Sequence, residues 1–206
     1  MFIPKHFRVT DFNEIREFIQ KNSFGTVVTT KDGVPIATHV PLQLRKEGDD
    51  FYITGHLAYA NPQWKTFDAE NENVLVMFQG PHAYISSSWY KHENVPTWNY
   101  QSVHVYGPAS LMNEHELEED LRLLLQRYET SRENPVLWGN LKDQTKKQMR
   151  GIVGFKIKVQ EVFAAYKLSQ NRTAEDYHNI MDRLFEEEDI ISHHIAEVMK
   201  NRGSFR

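Results

Sequence analysis

The sequence predicts a mainly β fold, an antiparallel barrel with peripheral helices, and three observations point to it. Six or seven strand-like apolar runs follow one another in meander order. The first three are joined by Lys31-Asp32-Gly33 and Glu47-Gly48-Asp49-Asp50, turns too short for the crossover a parallel sheet needs. Helix-period segments are inserted between the runs and after them.

The elements are expected in this order. Residues 11–22 form a helix, with Asp11 as cap, Glu14 at the third position, and Phe12, Ile15, Phe18 and Ile19 on one face. Strands follow at 25–30, 34–45 and 51–57. Asn61 and Pro62 open a short helix to about Phe67, because Asn is a good cap and Pro a good first helical residue. Residues 73–80 form a buried strand, which 82–86 continue past a break at Pro81. A loop spans 87–98, and a long strand covers 100–112 with a kink at Gly107 and Pro108. Asn113 and Glu116 cap a helix whose stripe is Leu117, Leu121, Leu124, Leu125 and Tyr128. A short polar helix lies within 142–150, and 151–168 is a long strand region. Thr173 caps a helix to about Phe185, and a last helix runs over 189–201. The domain expectation is a barrel over 1–168 with a helical appendage over 169–206 packed on it.

The chain has 206 residues, 40% hydrophobic and 12% aromatic, enough for one good-sized core. With no cysteine, disulfides and thiolate metal sites are excluded. No apolar stretch reaches the ~20 residues that span a bilayer, and residues 1–6 show no signal-peptide core, so a cytoplasmic protein without a membrane partner is expected. The formal charge of −4 lacks the basic balance of a dedicated DNA binder. The stretch 142–150 and the tail 200–206 are its basic clusters.

Three polar-aromatic segments carry the functional signal: 55–62, 96–100 and 167–172. Each mixes aromatic or imidazole rings with amide, hydroxyl or cationic groups. A core does not need that mixture, whereas a pocket for a flat, polar, phosphorylated ligand does. The candidate binding residues are Thr38, His39, His56, Leu57 and Asn61, then Trp98 and Asn99, then Lys167, Ser169, Gln170, Asn171 and Arg172. Asn61 and Thr173 also stand at helix starts, where backbone N–H groups are free to meet an anion. No H-E-x-x-H, Walker A, G-x-G-x-x-G or G-x-S-x-G motif occurs, so neither a metal nor a catalytic residue is assigned.

The stretches Ile3-Pro4-Lys5-His6-Phe7, Thr38-His39-Val40-Pro41, Gly55-His56-Leu57-Ala58, Asn61-Pro62, Pro96-Thr97-Trp98-Asn99-Tyr100, Val103-His104-Val105-Tyr106-Gly107 and Lys167-Leu168-Ser169-Gln170-Asn171-Arg172 resemble the PaiB family of FMN-binding negative transcriptional regulators. The resemblance covers nearly the whole chain. It implies a split β-barrel of the FMN-binding type, a homodimer, FMN as ligand, and repression of sporulation and degradative-enzyme genes through direct or indirect contact with DNA. Related flavin oxidases hold the FMN phosphate with an Arg-Lys pair beside the third strand. Here that stretch, 56–61, carries no cation, which leaves His39, His56, Asn61, Lys167 and Arg172 as candidates. Two alternatives accompany this reading. An FMN-dependent oxidoreductase lacks an evident substrate acid or base near the motifs. A haem-binding or haem-degrading split-barrel protein would draw axial ligands from His39, His56, His104 and His194.

Overall fold

The computed structural model describes residues 1–67 and 73–202; positions 203–206 of the basic tail lie outside the described residues. Its elements are β1 (Arg8–Val9), α1 (Phe12–Lys21), β2 (Phe24–Lys31), β3 (Val34–Pro41), β4 (Gln43–Glu47), β5 (Asp50–Ala58) and β6 (Val74–Ile85). There follow β7 (Thr97–Gly107), β8 (Ala109–Leu111), α2 (Glu114–Glu129), α3 (Asp143–Lys146), β9 (Ile152–Lys158), β10 (Glu161–Lys167), α4 (Ala174–Glu186) and α5 (Ile190–Arg202). Short 3-10 turns at Lys5–Phe7, Pro62–Thr66, Ser87–Trp89, Trp138–Asn140 and Lys147–Gly151 complete the chain.

Local chemistry accounts for most boundaries. Asp11 Oδ1 accepts the N–H of Asn13 at 2.8 Å and starts α1. Asp32 and Gly33 both have positive φ, at 52° and 77°, as a two-residue hairpin loop requires. Asn113 and Glu116 form a reciprocal capping box on α2, and Thr173 Oγ1 accepts the Asp176 N–H to open α4.

The chain folds into two compact units. One gathers residues 1–18, 79–104 and 163 onward; the other gathers 19–78 and 105–162. In the first, β1, β10, β7 and β6 are neighbours in that order, and α4 and α5 belong to the same unit. Its buried apolar residues include Phe7, Ile85, Val103, Leu168, Ile180, Leu184, Ile195 and Met199. In the second, β6, β2 and β3 form one antiparallel run, and β4, β5, β9 and β8 form another. Phe155 and Phe67 pack there with centroids 4.8 Å apart.

Several boundaries differ from the expectation. The strand over 34–45 divides at Leu42, which is buried and donates its N–H to Ser23 O at 2.8 Å. The region 151–168 divides likewise, into β9 ending at Lys158 and β10 beginning at Glu161; Val159 and Gln160 between them donate to Phe51 O and Tyr106 O, in line with the registers of β9 with β5 and β8. β6 runs through Pro81 without a break, and β7 begins at Thr97 inside the expected loop. The polar stretch 142–150 folds as α3 and a 3-10 turn.

The kink expected at Gly107 marks a close approach. A Cβ there would stand 1.7 Å from the Lys158 carbonyl oxygen, a backbone atom that cannot rotate away. Gly107→Ala is expected to cost at least about 2 kcal/mol through overpacking. Urea unfolding checks this, and an unchanged midpoint would refute it.

Candidate functional site

The twelve residues singled out in the sequence fall into two groups, one in each unit.

In the second unit, Thr38, His39, His56, Leu57 and Asn61 stand on β3, on β5 and just after it. Leu57 is a core residue, 1% exposed. Thr38 and Asn61 are engaged by a residue that sequence reasoning missed, Gln63, which is fully buried. Its amide nitrogen donates to Val27 O, Ile36 O and Thr29 Oγ1 at 3.0–3.2 Å. Its amide oxygen accepts the Thr38 hydroxyl, and Thr38 in turn accepts Asn61 Nδ2 at 3.0 Å. Asn61 Oδ1 caps the following turn through the Gln63 N–H. The polar atoms of Thr38 and Asn61 are thus already held by the network that pins the 61–66 turn to β2 and β3.

His39 is exposed and stacks on Phe24, with centroids 6.3 Å apart. His56 is partly buried on β5 opposite Gly154. Burial pushes its imidazole below the ordinary 6.5, opposed by the nearby Asp120 carboxylate. Asp120, on α2, is 1% exposed. It accepts Thr54 Oγ1 at 2.6 Å and Gln43 Nε2 at 3.1 Å, with Arg45 at 3.6 Å. Burial raises its pKa above the usual carboxylate value, against the opposing pull of Thr54, Arg45, His56 and Gln43.

In the first unit, Lys167, Ser169, Gln170, Asn171 and Arg172 form the turn from β10 into α4. Ser169 has φ of 60°, a left-handed conformation that a non-glycine residue adopts only when its surroundings hold it. Asn99, buried on β7, holds it: Asn99 Nδ2 donates to Ser169 Oγ at 3.0 Å, and that hydroxyl faces Asn99 Oδ1 at 3.1 Å. Gln170 closes the turn, accepting the Leu168 N–H at 2.7 Å and donating to Tyr166 O at 2.6 Å. Asn171 is exposed.

The two cations of this turn have no carboxylate partner among the described residues. Lys167 donates to Thr97 Oγ1 and lies 5.9 Å from the Phe7 ring centroid. Burial lowers its ammonium pKa, and the neighbouring Arg172 guanidinium lowers it further. Arg172 stacks on Tyr90 at 4.8 Å. The hydroxyl of Tyr90, whose ring Arg172 covers, is buried without a hydrogen-bond partner. Trp98 takes no part in this cluster's bonding. Neighbouring strand residues point to opposite faces, and its ring meets His82 and Tyr84 instead.

Thr173 and Asn61 cap their own helix starts, and Glu175 and Asp176 already supply negative charge in the first turn of α4. These termini therefore offer an anion less than the sequence suggested.

Antiparallel strands with peripheral helices define a β protein of the split-barrel type. Comparison with known proteins makes the class specific. Residues 1–161 match the family model described as "Putative FMN-binding domain". Over 203 residues the chain is 58% identical to the protease synthase and sporulation protein PAI 2 of Bacillus subtilis, covering 98% of each chain. The FAD and heme binding protein from Mycobacterium smegmatis has a similar fold, with a TM-score of 0.59 at 16% identity over 78% of this chain and 73% of that one. So does the flavocytochrome Anf3 from Azotobacter vinelandii, with a TM-score of 0.53 at 18% identity over 85% and 80%. The chain belongs to the FMN-binding-domain family, in its PAI 2 (PaiB) branch. Two cations, Lys167 and Arg172, without a carboxylate partner among the described residues, are the donor chemistry that the phosphate of such a flavin would require.

Two predictions follow from the geometry of the second unit. Gln63→Leu strips donors from two strand carbonyls and is expected to cost roughly 3 kcal/mol or more, read from urea unfolding; a midpoint like that of the wild type would deny the amide its role. His56 gives a pH dependence. Its folded pKa is depressed, so the unfolded chain takes the proton first. Its contribution to stability is complete above 6.5 and declines as pH falls from 6.5 towards the folded-state value. His56→Asn should flatten part of that decline in stability measured from pH 8 to 5, and identical slopes would refute the assignment.

Proposed function

We propose that this protein is an FMN-responsive negative regulator of transcription, acting on sporulation and degradative-enzyme genes as a homodimer. The observation that carries the ligand reading is the Lys167 and Arg172 pair, two adjacent cations with no carboxylate partner among the described residues. A partly buried ammonium beside a second cation is unfavourable until an anion neutralises it. A flavin phosphate is such an anion, and the family description names FMN.

In this reading Lys167 and Arg172 hold the phosphate. Asn99, Ser169 and Gln170 fix the backbone that carries them. When bound, the flavin would bring a redox-active ring that can report metabolic state. The protein's own contribution is positioning. Arg172 adjoins Thr173, the cap of α4, so neutralising it acts at the start of that helix. A ligand that favours one arrangement of this start shifts the population towards it.

The relative's name supports a role in sporulation and protease synthesis. Strand β3 supports the dimer. It stands at the end of its sheet, has no Lys, Arg, Asp or Glu, and exposes Val34, Pro35, Ala37, His39 and Pro41. Natural edge strands of that kind are usually covered.

Flavin-fluorescence quenching on titration with the purified protein tests the ligand. Saturable quenching is expected, weakened about tenfold or more in Lys167→Ala and in Arg172→Ala; equal affinity in both variants would overturn the site. The regulatory half is tested by transcript levels in a deletion strain. Extracellular-protease transcripts should rise, fall again with the wild-type gene, and respond differently to the double variant. Unchanged transcripts on deletion would overturn the regulator reading whatever the flavin result.

A further inference from the structure

The first unit contains a second site of opposite electrical character. Trp98, on β7, is half exposed, at 52%. Its ring centroid lies 5.8 Å from that of His82 and 6.0 Å from that of Tyr84, at interplanar angles of 54° and 69°. Side chains at 82 and 84 share one face of β6. The three rings therefore meet as a corner, not a flat stack, and with Trp89 they line a cavity of about 280 Å³.

Glu187 and Asp189 also line it, with Ala83, Ile191 and Ser192. The Asp189 carboxylate accepts the N–H groups of Ile191 and Ser192 and the Ser192 hydroxyl, each at 3.1 Å. These bonds fix it in place and hold its pKa below the usual range, so it stays ionised. Neither carboxylate has a Lys or Arg partner among the described residues. Aromatic faces are themselves electronegative. The lining thus combines aromatic and apolar area with two carboxylate residues.

That combination selects its ligand by chemistry. A phosphate or carboxylate is repelled by Glu187 and Asp189. A neutral apolar molecule makes no use of the two charges. A weakly hydrated organic cation uses both, meeting the rings through its alkyl surface and the carboxylates through its charge. We infer that this cavity binds a small alkylammonium ligand, with Trp98, Tyr84 and His82 as the aromatic corner and Glu187 and Asp189 as counter-charges. The site is separate in its residues from the Lys167 and Arg172 cluster and does not depend on the flavin reading.

Calorimetric titration of the intact protein with choline chloride tests this, at ionic strength balanced with sodium chloride. The comparison ligand is 3,3-dimethyl-1-butanol, the uncharged carbon analogue of choline. Choline is expected to bind saturably and the alcohol not to bind. Trp98→Ala and Glu187→Gln should each weaken choline about tenfold, while Trp98→Phe, which keeps an aromatic face, should retain most of the affinity. Lys167→Ala should leave choline binding unchanged and so separates this site from the flavin site. Absence of saturation with the wild type, equal binding of the alcohol, or undiminished binding by Trp98→Ala would each overturn the proposal. Sedimentation of Trp98→Ala gives a further check: dissociation into single chains would assign the rings to contact between copies and overturn it as well.

Discussion

A positive charge drawn partly out of water, with no carboxylate partner among the described residues, is the constraint around which the β10–α4 turn is arranged. Lys167 bears that cost, and Arg172 beside it adds to the cost. The turn is made stiff by Ser169 in a left-handed conformation, by the Asn99 amide that engages its hydroxyl, and by the Gln170 side chain folded back on the backbone. Each of these spends a polar side chain on geometry, and the two cations are left with their charge unspent.

The second unit solves a different problem with similar means. Gln63 and Asp120 are buried polar groups, and each gathers donors or acceptors from several strands. Buried polar networks of this kind specify one arrangement because any partial one leaves a group unsatisfied. Gln63 ties the turn after β5 to the β2–β3 hairpin. Asp120 ties α2 to β4 and β5 through Gln43, Arg45 and Thr54.

Much of the element order was legible because it rests on local signals: Asp11, Asn113 and Thr173 as caps, and Asp32-Gly33 as a hairpin loop. The start of β7 was not legible. Thr97 and Trp98 fall in the expected loop, and it is their place in a strand between β6 and β10, the one across a loop and the other distant in sequence, that the local pattern does not encode. The same distance hid the split of the candidate site. Trp98 and Asn99 are neighbours in sequence but face opposite sides of β7, one towards His82 and Tyr84 and the other towards Ser169. Gln63 lies within the short turn after Pro62 and Asp120 next to Leu121 of a helical stripe, and neither position carries a local sign of burial. Burial of a polar side chain depends on what the rest of the chain brings to it, which no local pattern encodes.

The interleaving of the two units has a consequence for how the protein is made. The unit that carries the cation pair draws on three separated stretches, the last beginning at Phe163, whereas both stretches of the other unit have been synthesised by Val162. During translation the second unit can close while the ribosome is still working. The strands of the first must wait for β10 and for α5, whose Arg202 pairs with Glu14 of α1 and stacks on Tyr166. A nascent chain stalled within its final stretch would therefore carry one folded unit while strands of the other still lack their partners, a mark for chaperone or protease.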